Sequence, residues 1–290
     1  METLIWETDP PELRSPILVC SFRGWNDAAG AASTALATVA ASLDAELVAS
    51  VDPEEFFDFQ ANRPMITLEE GQTRRIDWPA NTLIAAEAPS AERDLLLLDG
   101  TEPNLRWRGF SEAIANAAER MGVEMVITLG ALLAEVAHTL PVPITGLASD
   151  EDLVEELDLS RSTYEGPTGI VGVVHDVCRQ RGMSSASLWA AVPHYVAAVP
   201  NPKAALALLR RLEGLTGIAV DASELEDETT DYEEQVGRAV AANPEIEELV
   251  TRIEEQQAEQ LTEDGTDLPS ADAIASEFQR FLRQRGGDQN

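Results

Sequence analysis

Lysine is almost missing from this 290-residue chain. Lys203 is the only one, and the remaining bases are arginines. Against 20 bases stand 52 acids, a formal charge of −32. Binding a nucleic-acid backbone needs clustered cations that release counterions, and the arginine pairs at 74–75 and 210–211 cannot offset a field of that sign. Anionic membrane surfaces are disfavoured for the same reason. The shortage also removes nucleotide-triphosphate chemistry of the P-loop kind, which requires Gly-Lys-Ser/Thr, whereas Lys203 stands in Asn201-Pro202-Lys203-Ala204. The acidity itself has two readings, attraction to a basic partner or plain solubility.

Other chemistry is thin as well. The two cysteines, Cys20 and Cys178, sit far apart in apolar surroundings and read as reduced core residues. Three histidines, His138, His175 and His194, are too widely spaced for a metal motif, no HExxH occurs, and no metal or cofactor is expected. A Gly-x-Ser-x-Gly elbow is absent, which removes the commonest serine-nucleophile reading. The longest apolar region, Leu188 to Leu209, is interrupted by Pro193, His194, Pro200, Pro202 and Lys203, so no membrane span is expected. The opening Met1-Glu2-Thr3-Leu4-Ile5-Trp6-Glu7 does not read as a signal peptide, and a cytoplasmic location is expected.

What is present is globular. Hydrophobic residues make up 44% and charged residues 25% of the chain. Short apolar runs at 17–22, 46–51, 83–88, 94–98, 124–129 and 187–192 predict strands. Between several of them, 27–43, 108–121 and 169–181 carry apolar residues at helical spacing. This alternation predicts an α/β fold with a mostly parallel sheet flanked by helices. Residues 52–82 break the rhythm and read as an insertion holding a hairpin, with Arg74–Trp78 as one arm. Its aromatics either form a contact surface or cover one end of the sheet.

Residues 1–215 read as the core domain, and 216–290 as an acidic helical region. Residues 221–290 hold 20 acids against 5 arginines. Here Ile246, Leu249, Val250 and Ile253 predict one amphipathic helix, and Ile274, Phe278, Phe281 and Leu282 another; Asp221–Asp231 reads as an acidic linker.

In open α/β sheets, ligands sit beyond the carboxyl ends of the strands. Gly24, Trp25, Asn26 and Asp27 follow the first long strand and open a helix, either as a capping loop or as a weak anion site without lysine. Gly166, Gly169 and Gly172 share one face at the start of another helix, serving either as a backbone cradle or as a surface for close packing. Gly130, Glu135 and His138 follow the strand at 124–129, and His194 and Tyr195 follow the strand at 187–192. With Asp150 and Glu165, the carboxylates and imidazoles are of the types that acid/base chemistry uses.

The segments Gly24–Gly30, Thr128–Val136, Gly146–Asp150, Tyr164–Gly169 and Pro193–Tyr195 together resemble the actinobacterial branch of the proteasome assembly chaperone 2 family. The likeness runs over roughly residues 3 to 215. It implies a core similar to the phosphorylase/hydrolase-like fold, homo-oligomers with a trimer as one arrangement, and protein partners, proteasome subunits among them. Archaeal relatives that dock on the proteasome end in a hydrophobic-Tyr-any-residue tail. This sequence ends Gly286-Gly287-Asp288-Gln289-Asn290, so a docking surface elsewhere is expected. The leading expectation is a protein-binding, chaperone-like protein. The alternative is a small-molecule (nucleoside-like) binding protein, or a hydrolase- or phosphorylase-like enzyme with its site at the strand ends.

Overall fold

The computed structural model describes residues 3–69, 73–148, 160–161 and 165–263. Asp150 and the predicted helix around Ile274–Leu282 lie outside them.

The sheet grows from strands whose residues are apolar on both faces. β2 (Ile17–Arg23) and β7 (Leu95–Thr101) pair in parallel, as do β2 with β8 (Met125–Ala134) and β8 with β11 (Ser184–Pro193). Four consecutive leucines, Leu95 to Leu98, are almost fully buried in β7. Leu95 and Leu97 face one core and Leu96 and Leu98 the other, which is why the run is continuous rather than alternating. Burying each such side chain is worth about 1.5–3 kcal/mol.

Outward from this parallel centre the pairing turns antiparallel. On one side lie β6 (Asn81–Ala86), β3 (Glu46–Val51) and β1 (Leu4–Trp6), and beyond β11 lies β9 (Ile144–Ala148), paired in turn with the short β10 (Ser160–Arg161). Among the described residues the order is β1-β3-β6-β7-β2-β8-β11-β9-β10. The sheet is therefore mixed: its four central strands are parallel as expected, β9 runs antiparallel to β11, and the short β10 pairs parallel to β9.

Helices cover both faces. On one side α1 (Ala31–Ser42) packs against α4 (Pro202–Thr216), using Ala31, Ala32, Ala35, Leu36 and Val39 against Ala205, Leu208, Leu209 and Leu212. On the other, α2 (Trp107–Arg120) packs against α3 (Ile170–Gln180) through Phe110, Ile114, Ile170 and Val174. Asn201 caps α4 by accepting from the Ala204 N–H at 2.9 Å, with Pro202 in the first turn, and Gly217 ends the helix at φ 70°.

The predicted linker at 221–231 is instead helix. α5 (Ser223–Ala241) and α6 (Pro244–Glu263) follow α4, and Leu225, Tyr232, Val236 and Val240 form the buried stripe of α5. Glu224 and Glu226 in its first turn complement the positive end of the helix dipole. Val236, Val240, Val250 and Ile253 build a third, smaller core with Ala137, against which Leu140, Tyr195 and Val196 also pack. Ile246 and Leu249 complete the amphipathic face expected of α6.

The insertion contains β4 (Met65–Glu69) and β5 (Thr73–Asp77), an antiparallel pair separate from the main sheet. Covering of the sheet end is what the structure shows for two of its aromatics. Phe56 and Phe57 are buried under the sheet end, Phe56 edge-on to Phe110 at 5.5 Å, whereas Trp78 is half exposed beside Phe59.

Candidate functional site

Chain reversal at the centre of the sheet opens a crevice. β2 runs between β7 and β8, so the connections after neighbouring strands depart in opposite directions, and loops part at their carboxyl ends. Here the first loop extends the ladder: the Ala131 N–H donates to the Asn26 carbonyl at 2.8 Å, and Asp27 bridges Ala131. Asp27 then caps α1. Its carboxylate accepts from the Ala32 N–H at 2.8 Å and the Ser33 hydroxyl at 2.6 Å, after a 3-10 turn at Ala28–Gly30 in which Ala29 and Gly30 take positive φ. The carboxylate is thus engaged by the first turn of α1, the capping role expected of this loop.

Asn26 is 1% exposed, and its amide donates to Glu102 at 2.7 Å. Glu102 also accepts from the Ile170 N–H at 2.9 Å, in the first turn of α3. One carboxylate thus ties the end of β7, the β2 loop and a helix N-terminus together. Gly169 is required here, because a Cβ would lie 2.2 Å from the Asn26 amide. Glu102 does not figure in the expectations from sequence. Its only signal is its place just past a strand end.

Beside this knot lies a cavity of about 630 Å³. Trp25, Ala28 and Ala29 form one wall, Leu132 and Leu133 of β8 another, and Pro167, Thr168, Gly169, Gly172 and His175 the α3 side. Ser187 and Trp189 of β11, Thr145 and Leu147 of β9, and Ala197 complete it. Gly130 makes room for the back wall: a Cβ there would sit 2.6 Å from the Trp189 ring. The Trp189 indole N–H donates to the Ser187 hydroxyl at 2.9 Å, which is also hydrogen-bonded to Thr128 at 2.8 Å. His175 is the lone titratable residue among the described lining. Burial, helped by the charge of Arg179, lowers its pKa, so its ring is neutral at pH 7, and its buried Nδ1 has no hydrogen-bond partner.

Three of the four segments expected to meet here do so, with Trp25, Leu132–Leu133 and Pro167–Gly169 on one cavity. The fourth does not. Tyr195 accepts from the His138 N–H at 2.8 Å and contacts its ring nitrogen at 2.9 Å, both beside a separate cleft of about 10 Å³ against the α5–α6 core. His194, Glu135, Glu165 and Gly166 are exposed and do not line the cavity. Among the described residues the expected acid/base set is therefore not assembled, and no three His, Cys, Asp or Glu side chains gather to hold a metal ion. Cys20 and Cys178 are buried and free, and burial pushes the Cys178 thiol up to about 11, which leaves it protonated and unreactive.

A second feature flanks the strand ends. The β4–β5 hairpin exposes Met65, Ile66, Leu68 and Ile76, and Trp78 follows it. Beneath lies an open groove of about 860 Å³ walled by Arg23, Arg63, Asp77, Trp78, Glu102 and Trp107.

A model of the PAC2 family matches residues 21–240. The chain belongs to the PAC2 family. Among solved structures it is similar to a PAC2 family protein from Streptomyces avermitilis, with 44% identity and a TM-score of 0.76, over 81% of this chain and 99% of that one. It is likewise similar to a proteasome-assembly chaperone homologue of Mycobacterium tuberculosis, with 40% identity, a TM-score of 0.75 and the same coverage. A Mycobacterium tuberculosis protein of unknown function follows at 29% identity and TM-score 0.82, over 89% of this chain and 92% of that one. No curated protein matches the chain. The large sheet flanked by helices is thus the architecture of PAC2 proteins. No helix among the described residues is long and apolar enough to cross a membrane.

Proposed function

We propose that this PAC2 protein is a cytoplasmic, homo-oligomeric, proteasome-assembly-chaperone-like protein that binds other protein subunits through the β4–β5 hairpin and the groove beneath it. The observation that carries the reading is the hairpin itself. A two-stranded ribbon is marginal in water without an apolar covering. This one instead turns Ile66, Leu68 and Ile76 outward at 57%, 66% and 50% exposure. A contiguous apolar patch rimmed by polar groups marks a protein-interaction surface. Arg74, opposite Leu68, and the groove residues Arg23, Arg63, Asp77 and Glu102 give the apolar patch a polar rim of mixed charge. The family membership and the likeness to a proteasome-assembly chaperone homologue support proteasome subunits as that partner.

Co-purification of the tagged chain with proteasome α or β subunits tests the reading. Ile66→Asp with Leu68→Asp is expected to abolish capture while leaving the circular dichroism unchanged, since both side chains are exposed. Capture that survives the double substitution removes the hairpin from the reading. Unchanged assembly intermediates and proteasome yield in a deletion strain remove the chaperone role. Sedimentation of the free protein as a monomer removes the homo-oligomer.

A further inference from the structure

The cavity between Trp25 and Trp189 is not needed for protein binding through the hairpin. Its volume of about 630 Å³ falls within the roughly 300–1,000 Å³ of small-molecule sites. Two indole rings and three leucines supply an apolar lining, and three hydroxyl-bearing residues and one imidazole supply isolated polar points. Among the described residues that line it there is no Asp, Glu, Lys or Arg. A carboxylate, phosphate or ammonium entering would lose its hydration and find no counter-charge. Anions are additionally repelled by the net charge of −32.

The polar points are few and specific. The Ser187 oxygen is the acceptor for both Thr128 and Trp189, so its own hydrogen is left to donate. His175 lines the cavity with a ring that no protein hydrogen bond holds at its buried Nδ1. A nucleoside, with hydroxyls around its ribose and several polar atoms on its base, carries more hydrogen-bonding groups than this lining can match. We propose that the cavity is a binding site for an uncharged aromatic small molecule, stacked against Trp25 and Trp189, with one or two hydrogen-bonding groups that pair with His175 and Ser187.

Three probes of one shape separate the contributions: p-cresol, which is neutral with a hydroxyl; toluene, neutral without one; and p-toluate, which is charged. Calorimetric titration and thermal melting of the full chain are the measurements. The expected order is p-cresol tightest, toluene roughly tenfold weaker, corresponding to one buried hydrogen bond, and p-toluate undetectable. His175→Phe is expected to weaken p-cresol to the level of toluene and leave toluene unchanged, a split that a merely structural histidine would not give. Leu133→Trp, at a half-exposed position on the cavity wall, is expected to block all binding without lowering the melting temperature. Binding of p-toluate as tight as that of p-cresol, p-cresol affinity unmoved by Leu133→Trp, or no binding of any probe overturns the proposal. So does loss of p-cresol binding as protein concentration rises, which would give the cavity to a second copy of this chain.

Discussion

Replacing Lys203 by methionine removes the only lysine and keeps most of its aliphatic stem. Its ammonium joins three elements: it sits in the first turn of α4, donates to the His138 carbonyl at 2.6 Å, and pairs with Glu233 of α5 at 2.6 Å. The two bonds differ in worth. Lys203 is 16% exposed, so the bond to His138 is a charge-assisted one in a partly dry site, worth about 1.5–3 kcal/mol. Glu233 is 45% exposed, and water screens that pair to roughly 0–1 kcal/mol. Together the substitution is expected to cost about 2–3 kcal/mol.

That loss is expected to fall locally, because the α5–α6 unit is held by its own apolar cluster and by Gln257, which accepts from the Ala137 N–H at 3.0 Å, and Glu254, which accepts from Thr139. Amide hydrogen exchange is the assay. Protection in α5 and across Ala137–Leu140 should fall while β2, β7 and β8 keep theirs. Arg238→Met serves as the control: it removes an equal charge from a loose pair at 3.9 Å on an exposed turn of the same helix and should stay within about 0.5 kcal/mol of the parent. Equal effects from both substitutions, or protection lost uniformly over the sheet, would refute the reasoning. The change would then be one of net charge and not of a joint.

How legible this molecule is in its sequence depends on the range of the interaction. Leu95–Leu98 and Ile17–Phe22 declare central strands because burial on both faces demands uninterrupted apolar residues, and α2 and α3 declare themselves by periodicity. The antiparallel outer strands do not, since pairing direction is decided by partners far along the chain. Helix α5 was hidden for a different reason. Its buried residues, Leu225, Tyr232, Val236 and Val240, form a narrow stripe in a run of acids, and Tyr232 is the first apolar residue fully buried after Leu225. At the site, the segments after the strand ends single out Trp25, Gly130 and Gly169 as candidates, but that they meet on one cavity follows from the sheet and not from any local pattern. Trp189 and Ser187 read as ordinary strand residues, His175 as a mid-helix residue, and Glu102 as one acid among 52, because a cavity wall or a knot of hydrogen bonds leaves no periodic trace. His138 and Tyr195 followed the right strands but turn toward α5 and α6, whose docking position no local pattern encodes.

Gly130→Ala places a methyl 2.6 Å from the Trp189 ring, and is expected to cost about 1–3 kcal/mol and to alter the near-ultraviolet circular dichroism as the indole is displaced; an unchanged spectrum would mean that the wall yields freely. Glu102→Ala strands the Asn26 amide and the Ile170 N–H, and should cost about 2–3 kcal/mol in urea unfolding and raise exchange at Ile170; a loss below about 0.5 kcal/mol would dissolve the knot. The last prediction concerns acid. Burial pushes the Asp94 carboxyl upward, but hydrogen bonds from the Arg14 guanidinium, the Ala88 N–H and the Arg14 N–H outweigh it and hold the group at about 2. A carboxyl lowered in the folded state binds its proton more weakly there than in the unfolded chain, whose carboxylates titrate near 4. Its contribution, about 2 kcal/mol with Arg14 half exposed, is therefore full above pH ~4 and lost as pH falls toward about 2. Asp94→Asn should remove that contribution at neutral pH and flatten this part of the stability-versus-pH curve. Parallel curves for the two proteins between pH ~4 and ~2 would show that Asp94 already binds its proton in the folded state as readily as in the unfolded one, and the three donors would then count for nothing.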